Sequence, residues 1–230
     1  FSFYIDKFQK GASNYIKIQS FTQGTTYSIV YKDSLSRDLK PKIDSLLSLI
    51  DQSVSTYKDS SLITFFNHSK DTINWFDIDV IFYQNILISK EINQQSLSAF
   101  DPTVAPLYQY FKFDDKGLKY IDTLKVDSIL TVSVGLKYIE INSTKHQIRK
   151  RKPNVTLNFN AIAQGYSVDF VADNLNKMGI TNFMVEIGGE ILAKGINPDE
   201  KWWKIGIDKP TEHSKPGEEF QKIVELNNKA

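Results

Sequence analysis

Apolar and polar residues alternate over residues 15–31, which predicts two strands or a hairpin. Tyr27, Ile29 and Tyr31 fall on one side of the alternation, as expected for a strand that buries one face. The alternation breaks at Gly24, where we place the turn. Similar alternations predict further strands at residues 137–141, 155–159, 203–207 and 220–226.

Other segments repeat apolar residues every three or four positions, which predicts amphipathic helices. Pro41 falls in the first turn of the first helix, where proline is tolerated. Gly135 and Gly179 stand where the third and fourth helices should stop. The predicted helices cover residues 38–51, 77–95, 127–134 and 161–178.

Two adjacent glycines, Gly188 and Gly189, separate two short apolar segments at 182–187 and 191–194. This arrangement predicts a hairpin whose turn needs positive φ angles. The polar stretch 213–219 predicts a loop. Strands and helices in this mixed order predict an α+β fold.

Composition supports a folded protein and excludes several kinds of site. The chain has 230 residues, 41% of them hydrophobic, which is enough for a sizeable core. The net charge of +1 argues against a nucleic-acid-binding surface, and the basic run 149–152 is interpreted as a solvated hairpin end. The absence of cysteine excludes disulfides, thiolate metal sites and a cysteine nucleophile.

The histidines offer no recognisable metal site. His68, His146 and His213 lack the spacing of metal ligands and are interpreted as surface residues. No apolar run approaches the roughly 18 residues that a membrane-spanning helix requires. Since the sequence does not begin with Met, we expect a signal or lipidation segment upstream of Phe1.

Residues 158–169 form the most specific candidate, because a predicted strand ends there and a helix begins. The small residues Ala161 and Ala163 would let the backbone approach a ligand, and the amides of a helix start favour a phosphate. Ordinary strand–turn–helix packing, with Asn160 as the N-cap, is the alternative interpretation of the same residues. Both interpretations stay open at this point.

Two loops carry further candidates. In residues 98–107, Pro102 and Pro106 predict a rigid non-helical loop in which Asp101 either binds a ligand or caps a turn. Residues 53–67 are rich in Ser and Thr and contain Tyr57. That tyrosine either stacks on a flat ring or is the half-buried tyrosine of an ordinary loop after a helix.

Six segments, in this order, resemble the flavin transferase family of the ApbE type, once described as thiamine-biosynthesis lipoproteins. The resemblance runs through the chain from residue 20 onward. The segments are QGTTY (23–27), STYKDSSLITFFN (55–67), AFDPTVAPL (99–107), NFNAIAQGYSVD (158–169), IGGEILAKG (187–195) and WWKIGIDKP (202–210).

The resemblance implies an enzyme that splits FAD, transfers FMN to a threonine hydroxyl of a target protein and releases AMP, with Mg²⁺ as a second cofactor. It also implies mixed helices and antiparallel sheets of the T-fold-like type, with residues 1–19 as a tether or first strand and 20–230 as the flavin transferase domain. An FAD pyrophosphatase, a non-catalytic flavin-binding protein of the cell envelope and a ligand-free interaction domain are the alternatives.

By the same resemblance, Ala161 is a metal ligand through its backbone carbonyl, as a hard cation that prefers oxygen allows. Three positions depart from the family pattern: Gln23 replaces Met, Asn158 replaces Asp and Gln164 replaces Lys. The implied nucleotide-binding residues are Gln23, Tyr57, Ala99, Phe100, Asp101, Asn158 and Gln164.

The family also has a C-terminal part with a His-x-x-Asp-Pro segment, followed by an aspartate and a threonine that complete the metal site. The sequence ends at Ala230 without these residues, so we expect the C-terminal part to be missing and the catalytic residues to lie there. Family resemblance further leads us to expect a protein lipid-anchored on the periplasmic side of a bacterial cell envelope, with a threonine-bearing acceptor protein as its partner.

Overall fold

The structure is a computed structural model of the chain and describes residues 14–111, 121–209 and 219–228. The chain divides into two compact units. The terminal unit comprises residues 1–48 and 164–230, and the middle unit comprises residues 49–163.

Helices and antiparallel strands both contribute to the fold, which confirms the predicted α+β class. The helices are α1 (Lys40–Val54), α2 (Leu62–His68), α3 (Val80–Gln95), α4 (Ala105–Phe111), α5 (Thr123–Ser133) and α6 (Asn160–Lys177). The strands are β1 (Tyr15–Thr22), β2 (Thr25–Lys32), β3 (Phe76–Asp77), β4 (Ile139–Asn142), β5 (Gln147–Lys150), β6 (Phe183–Ile187), β7 (Glu190–Lys194), β8 (Trp203–Asp208) and β9 (Phe220–Leu226).

The terminal unit contains a four-stranded sheet in the order β1-β2-β6-β7 and a separate pair, β8-β9. All neighbouring strands are antiparallel. The central strand β6 is buried throughout, and β2 is buried from Tyr27 to Tyr31. A buried cluster of apolar side chains joins the sheet to β8: Val30, Met184, Ala193, Trp203 and Ile205.

Both predicted hairpin turns are present in the terminal unit. Gln23 and Gly24 have φ angles of 51° and 74°, the pair of positive angles that a two-residue turn between twisted strands requires. Gly188 and Gly189, with φ angles of 56° and 105°, turn the chain from β6 into β7. The prediction of positive φ at these two glycines is confirmed.

The middle unit combines a three-stranded sheet, in the order β3-β5-β4, with helices that surround a cluster of aromatic rings. The rings of Phe66 and Phe82 meet edge to face at 6.2 Å, and those of Phe82 and Phe159 at 5.3 Å. Asp79 begins α3 by accepting a hydrogen bond of 2.7 Å from the Phe82 amide. These contacts place α3 against the segment that leads into α6.

The predicted strand at 155–159 is wrong, although its alternation has a physical cause. Val155, Leu157 and Phe159 are each 0% exposed, so every second side chain does enter the core. The backbone of Leu157, however, bonds to the side chain of Asn67 in both directions, at 2.7 and 2.8 Å. The alternation therefore reflects the burial of every second side chain, whereas the backbone forms these hydrogen bonds with a side chain and not with a neighbouring strand.

The interpretation of the basic run as a solvated hairpin end is also wrong at one residue. Lys150, the last residue of β5, is only 1% exposed. Its ammonium group donates hydrogen bonds of 2.9, 3.0 and 2.9 Å to the carbonyl oxygens of Phe66, Ser69 and Val155. Burial, reinforced by the charge of Lys70, lowers the pKa of Lys150 to about 8.

Helices occupy parts of two segments that were predicted as loops. Residues 53–67 contain most of α2, and the loop 98–107 ends where α4 begins at Ala105, so that Pro106 falls in a first helical turn. α5 begins before the predicted residue 127, because Asp122 accepts hydrogen bonds from the amides of Leu124 and Lys125. Of the predicted loop at 213–219, all but the last residue lies outside the described residues.

Across the residues that the structure describes, no helix combines the length and apolar character needed to cross a bilayer.

Candidate functional site

In the middle unit, Asn158 connects the start of α6 to the loop that contains Asp101. Its amide donates a hydrogen bond of 2.8 Å to the Pro102 carbonyl. Its side-chain oxygen accepts one of 2.8 Å from the Asn160 amide. Asn158 thus performs the capping role predicted for Asn160, and the sequence-predicted segments 99–103 and 158–161 lie side by side.

The first turn of α6 leaves one amide for a ligand rather than several. The amides of Ile162 and Ala163 both donate to the Phe159 carbonyl, at 2.9 and 2.8 Å, and the Asn160 amide is held by Asn158. The amide of exposed Ala161 has no acceptor within the described part of the chain. Because helix N-termini favour negative charge, this amide could meet a phosphate oxygen.

Tyr57 and Asn160 form a polar contact that the sequence analysis missed. The side-chain amide of Asn160 donates a hydrogen bond of 3.2 Å to the Tyr57 hydroxyl, and the Thr56 hydroxyl donates one of 3.4 Å to the Asn160 side-chain oxygen. Tyr57 is 84% exposed, so the interpretation as a half-buried loop tyrosine is wrong. Its ring is accessible to a flat ligand beside the start of α6.

Asp101 caps a turn, as one of its two interpretations predicted. One carboxylate oxygen accepts hydrogen bonds from the amide and hydroxyl of Thr103, at 2.8 and 2.6 Å. The other accepts one of 3.0 Å from the Leu136 amide. The Thr103 hydroxyl also accepts one of 2.7 Å from the Gly135 amide, so this pair joins the loop to the residues after α5.

Ala99 and Phe100 take part in the turn that precedes Asp101. The Phe100 amide donates a hydrogen bond of 3.1 Å to the Ser96 hydroxyl, and its carbonyl accepts one of 2.6 Å from the Asn93 side chain. The Ala99 amide donates to the Ser96 carbonyl at 3.0 Å. The backbone of this loop is therefore held by its own chain, with Ala99 exposed and Phe100 half-buried.

In the terminal unit, Gln23 is bonded to α6 and Gln164 lies against the turn at Gly188. Gln23 donates a hydrogen bond of 2.7 Å from its side-chain amide to the Ser167 hydroxyl. Its side-chain oxygen is buried without a hydrogen-bond partner in the described residues. The side-chain amide of Gln164 lies against Gly188, so close that a Cβ atom on Gly188 would be 2.6 Å away.

Glu186, at the end of β6, is a buried carboxyl group that the sequence analysis did not single out. Its side-chain oxygen accepts a hydrogen bond of 3.0 Å from the Gly189 amide. Burial raises the pKa of Glu186, because desolvation disfavours the charged form. A continuous apolar segment with one acidic residue before a glycine pair is the signal that could have identified it.

The described residues do not form a metal site by themselves. Among them, no group of three or more His, Cys, Asp or Glu side chains is arranged to hold a metal ion. Ala161 could supply a single carbonyl oxygen, whereas Mg²⁺ requires an octahedral set of oxygens with carboxylate charge. The residues present therefore do not fit a complete magnesium site.

A sequence model of the ApbE family matches residues 23–230, and the chain therefore belongs to the ApbE family. It is 31% identical over 221 residues to an FAD:protein FMN transferase of Haemophilus influenzae, an alignment that covers 93% of this chain and 63% of the relative. It is 34% identical over 201 residues to an FAD:protein FMN transferase of Vibrio cholerae, with 83% of this chain and 58% of that relative covered. The chain thus spans about three fifths of these relatives.

Solved structures show the same fold. A mutant of the flavin transferase ApbE from Vibrio cholerae superposes with a TM-score of 0.81 at 29% identity, covering 94% of this chain and 72% of that one. This agreement confirms the fold class that the resemblance implied, including its mixed helices and antiparallel sheets.

Proposed function

We propose that the protein transfers FMN from FAD to a threonine hydroxyl of a target protein and releases AMP. The observation that carries the proposal is the family match over residues 23–230. Relatives named FAD:protein FMN transferase, which align with most of this chain, support it further.

In the proposed reaction, the threonine oxygen bonds to the phosphorus of the FMN half of FAD. The bond from that phosphorus to the bridging oxygen breaks, AMP leaves with the electron pair, and the proton of the threonine hydroxyl passes to the solvent. Such phosphoryl chemistry depends chiefly on positioning and on stabilising negative charge.

The chain's own residues suggest how the nucleotide would be held. The exposed ring of Tyr57, fixed by Asn160, offers a surface for the flavin or the adenine. The Ala161 amide, at the positive end of an 18-residue helix, offers a donor to a phosphate oxygen. Gln164, where the family frequently has lysine, contributes a neutral amide instead of a positive charge.

Magnesium belongs to the proposal through the family resemblance. The described residues do not make a complete site for the cation. The carbonyl of Ala161 is the one ligand proposed from this chain. A titration of FAD binding with Mg²⁺ and with Mn²⁺ tests whether either cation takes part.

We also propose that the protein is anchored by a lipid on the periplasmic side of a bacterial cell envelope, where its acceptor protein would be found. The resemblance to a family of exported proteins supports this location. Fractionation of cells with metabolic labelling by a fatty acid tests it, since a label-free protein in the cytoplasmic fraction would contradict it.

Product analysis distinguishes the transferase from its alternatives. Incubation with FAD and a threonine-bearing acceptor should release AMP without an equal amount of free FMN. Equal AMP and free FMN would indicate an FAD pyrophosphatase. FAD binding with no products, in the presence of Mg²⁺, would indicate a non-catalytic flavin-binding protein, and the absence of FAD binding would leave an interaction domain.

A further inference from the structure

Two lysines of the middle unit converge on one tyrosine. The ammonium nitrogen of Lys152 lies 3.9 Å from the centre of the Tyr138 ring, and that of Lys137 lies 5.3 Å from the same point. A hydrogen bond from Lys152, together with the charge of Lys137, lowers the pKa of the Tyr138 hydroxyl. We call these three residues the lysine–tyrosine cluster.

The positive charge of the cluster is not neutralised by a carboxylate of the described residues. Among them, neither Lys137 nor Lys152 forms an ion pair, whereas neighbouring Arg151 pairs with Glu140. Lys152 donates one hydrogen bond of 2.6 Å to the Thr131 carbonyl, although an ammonium group has three donors. Two like charges held against one ring repel each other, and an anion that contacts both would relieve this repulsion.

Hydrogen bonds join the cluster to a loop of the proposed nucleotide site. The Leu136 amide donates one of 3.0 Å to the Asp101 carboxylate, and the Gly135 amide donates one of 2.7 Å to the Thr103 hydroxyl. The Tyr138 amide in turn donates one of 3.0 Å to the Gly135 carbonyl. The Tyr138 ring lies so close that a Cβ atom on Gly135 would be 3.2 Å from it. Gly135 therefore contacts both the loop and the cluster.

FAD contains two phosphate groups, and the described part of the middle unit offers a donor for each. The Ala161 amide at the start of α6 is suited to one of them. The cluster is suited to the other. Asn158 connects the two places, because its amide donates to the Pro102 carbonyl while its side chain accepts a hydrogen bond from the first turn of α6.

We propose that the lysine–tyrosine cluster binds the phosphate of the adenylate half of FAD, the half that leaves as AMP. This inference rests on the proposed function. When the bond between the bridging oxygen and the phosphorus of the FMN half breaks, the electron pair stays on that oxygen and the AMP phosphate gains one negative charge. Ammonium groups that are already in position stabilise this charge, because they need no rearrangement as it forms.

AMP and adenosine test the cluster without any turnover, because they differ only by the phosphate. Isothermal titration calorimetry should show that the unaltered protein binds AMP roughly tenfold more tightly than adenosine. This advantage should shrink in about 0.5 M NaCl, since salt screens the charges. Equal affinity for AMP and adenosine would overturn the proposal, and so would inorganic phosphate that binds as tightly as AMP.

Variants connect the phosphate to the cluster. Lys137→Gln combined with Lys152→Gln removes both charges and keeps amide donors, so AMP should lose most of its advantage over adenosine. Lys90→Gln combined with Lys145→Gln removes two exposed lysines of the same unit and is the matched control, which should keep the advantage. An advantage that survives in the folded cluster variant, or that falls equally in the control, would overturn the proposal.

A milder variant keeps the test decisive if the double variant does not fold. Lys137→Gln alone changes an exposed residue and should reduce the advantage of AMP over adenosine roughly threefold. Circular dichroism confirms that each variant is folded. An unchanged advantage in folded Lys137→Gln would contradict the cluster.

FMN and riboflavin distinguish the proposed phosphate from the other phosphate of FAD. The preference of the protein for FMN over riboflavin should be the same in the cluster variant and in the control, because we expect the FMN phosphate at the start of α6. An equal loss of the AMP and FMN preferences would show a general effect of charge and overturn the assignment to the adenylate half.

Transfer assays separate this inference from the proposed function. FMN transfer from FAD to the acceptor should slow roughly tenfold in the cluster variant and stay unchanged in the control. Full transfer by the cluster variant would contradict the cluster and leave the transferase intact. A preference for AMP that depends on the cluster, in a protein that transfers no FMN, would contradict the transferase and leave the phosphate site.

Discussion

The side-chain amide of Asn160 donates a hydrogen bond of 3.2 Å to the hydroxyl of Tyr57, which precedes it by 103 residues. The contact places an exposed aromatic ring beside the first turn of α6, where the Ala161 amide has no acceptor among the described residues. A flat ring and a phosphate are the two ends of a flavin mononucleotide. The relationship therefore gives the proposed nucleotide site its first geometric constraint.

Replacement of Tyr57 tests the stacking role of its ring. Tyr57→Ala should weaken FAD binding by about 1 kcal/mol or more, since a stacked ring contributes that much beyond the area it covers. Tyr57→Phe keeps the ring and should bind FAD nearly as well as the unaltered protein. Isothermal titration calorimetry measures both, and equal affinity of the Ala variant and the unaltered protein would remove Tyr57 from the site.

Replacement of Asp101 should have two effects, because its carboxylate joins two loops. Asp101→Ala removes three hydrogen bonds and should lower the free energy of unfolding by about 2 kcal/mol. It should also weaken FAD binding by about 1.5–3 kcal/mol, if the carboxylate contacts the nucleotide. Urea denaturation and FAD titration measure the two effects separately.

Thr103→Val is the control for this pair of effects. It removes the hydroxyl that accepts a hydrogen bond from the Gly135 amide and should destabilise the same loop. The Asp101 carboxylate stays in place. A folded Asp101→Ala protein whose FAD affinity equals that of Thr103→Val would show that Asp101 only supports the loop.

Substitution by alanine should have opposite effects on stability at Gly188, in the hairpin turn, and at Gly165, in α6. Gly188 has a φ of 56°, and a Cβ atom there would be 2.8 Å from the Thr25 methyl group, so Gly188→Ala should destabilise by about 2 kcal/mol. Gly165 lies within α6, and beyond its own helical backbone such a Cβ would meet no described atom within 4 Å, so Gly165→Ala should stabilise the protein by about 0.5–1 kcal/mol. Thermal unfolding of both variants checks the difference in sign.

Lys150 should make stability increase with pH in the alkaline range. Burial lowers its folded-state pKa to about 8 from 10.5. Between these values the unfolded chain holds more protons than the folded one, so the free energy of unfolding rises with pH, by about 3 kcal/mol at most. Below pH 8 both states carry the proton and this contribution is constant.

A variant isolates the contribution of Lys150. Lys150→Met leaves three buried carbonyls without their donor and should be destabilised by about 3 kcal/mol at pH 7. The difference between it and the unaltered protein should widen from pH 8 to 10.5, while Lys90→Met, an exposed control, should follow the unaltered protein. Parallel pH profiles for Lys150→Met and the unaltered protein would contradict the assigned cause.

Local patterns predicted most of the regular elements, because their causes are local. The hairpin turn at Gly24 and the end of α6 before Gly179, with φ angles of 74° and 82°, follow from residue types alone. The prediction of a strand at 155–159 failed because the backbone of this segment bonds to Asn67 and Pro102. Both residues are too far away in the sequence for a local pattern to indicate them. The interpretation of Lys150 as solvated failed for a similar reason, since two of the three carbonyls that hold its ammonium group, those of Phe66 and Ser69, are more than 80 residues away in the sequence.

The candidate site was predicted through the order of its motifs more than through the physics of any one of them. Tyr57 was named for its ring, but its partner Asn160 was assigned a cap that Asn158 provides instead. Asn158 and Asn160 are only two positions apart, so the sequence could not show which of them bonds to the start of the helix and which contacts Tyr57. Asp101 was left between a cap and a ligand contact, and the structure confirms the cap.

The most direct test of the central claim is the mass of an acceptor protein after incubation with the purified protein, FAD and Mg²⁺. We predict that the acceptor gains the mass of one FMN, that peptide mapping places it on a threonine, and that a variant acceptor with valine at that position gains none. An unchanged acceptor mass, accompanied by AMP and free FMN in equal amounts, would contradict the transferase and establish hydrolysis of FAD in its place.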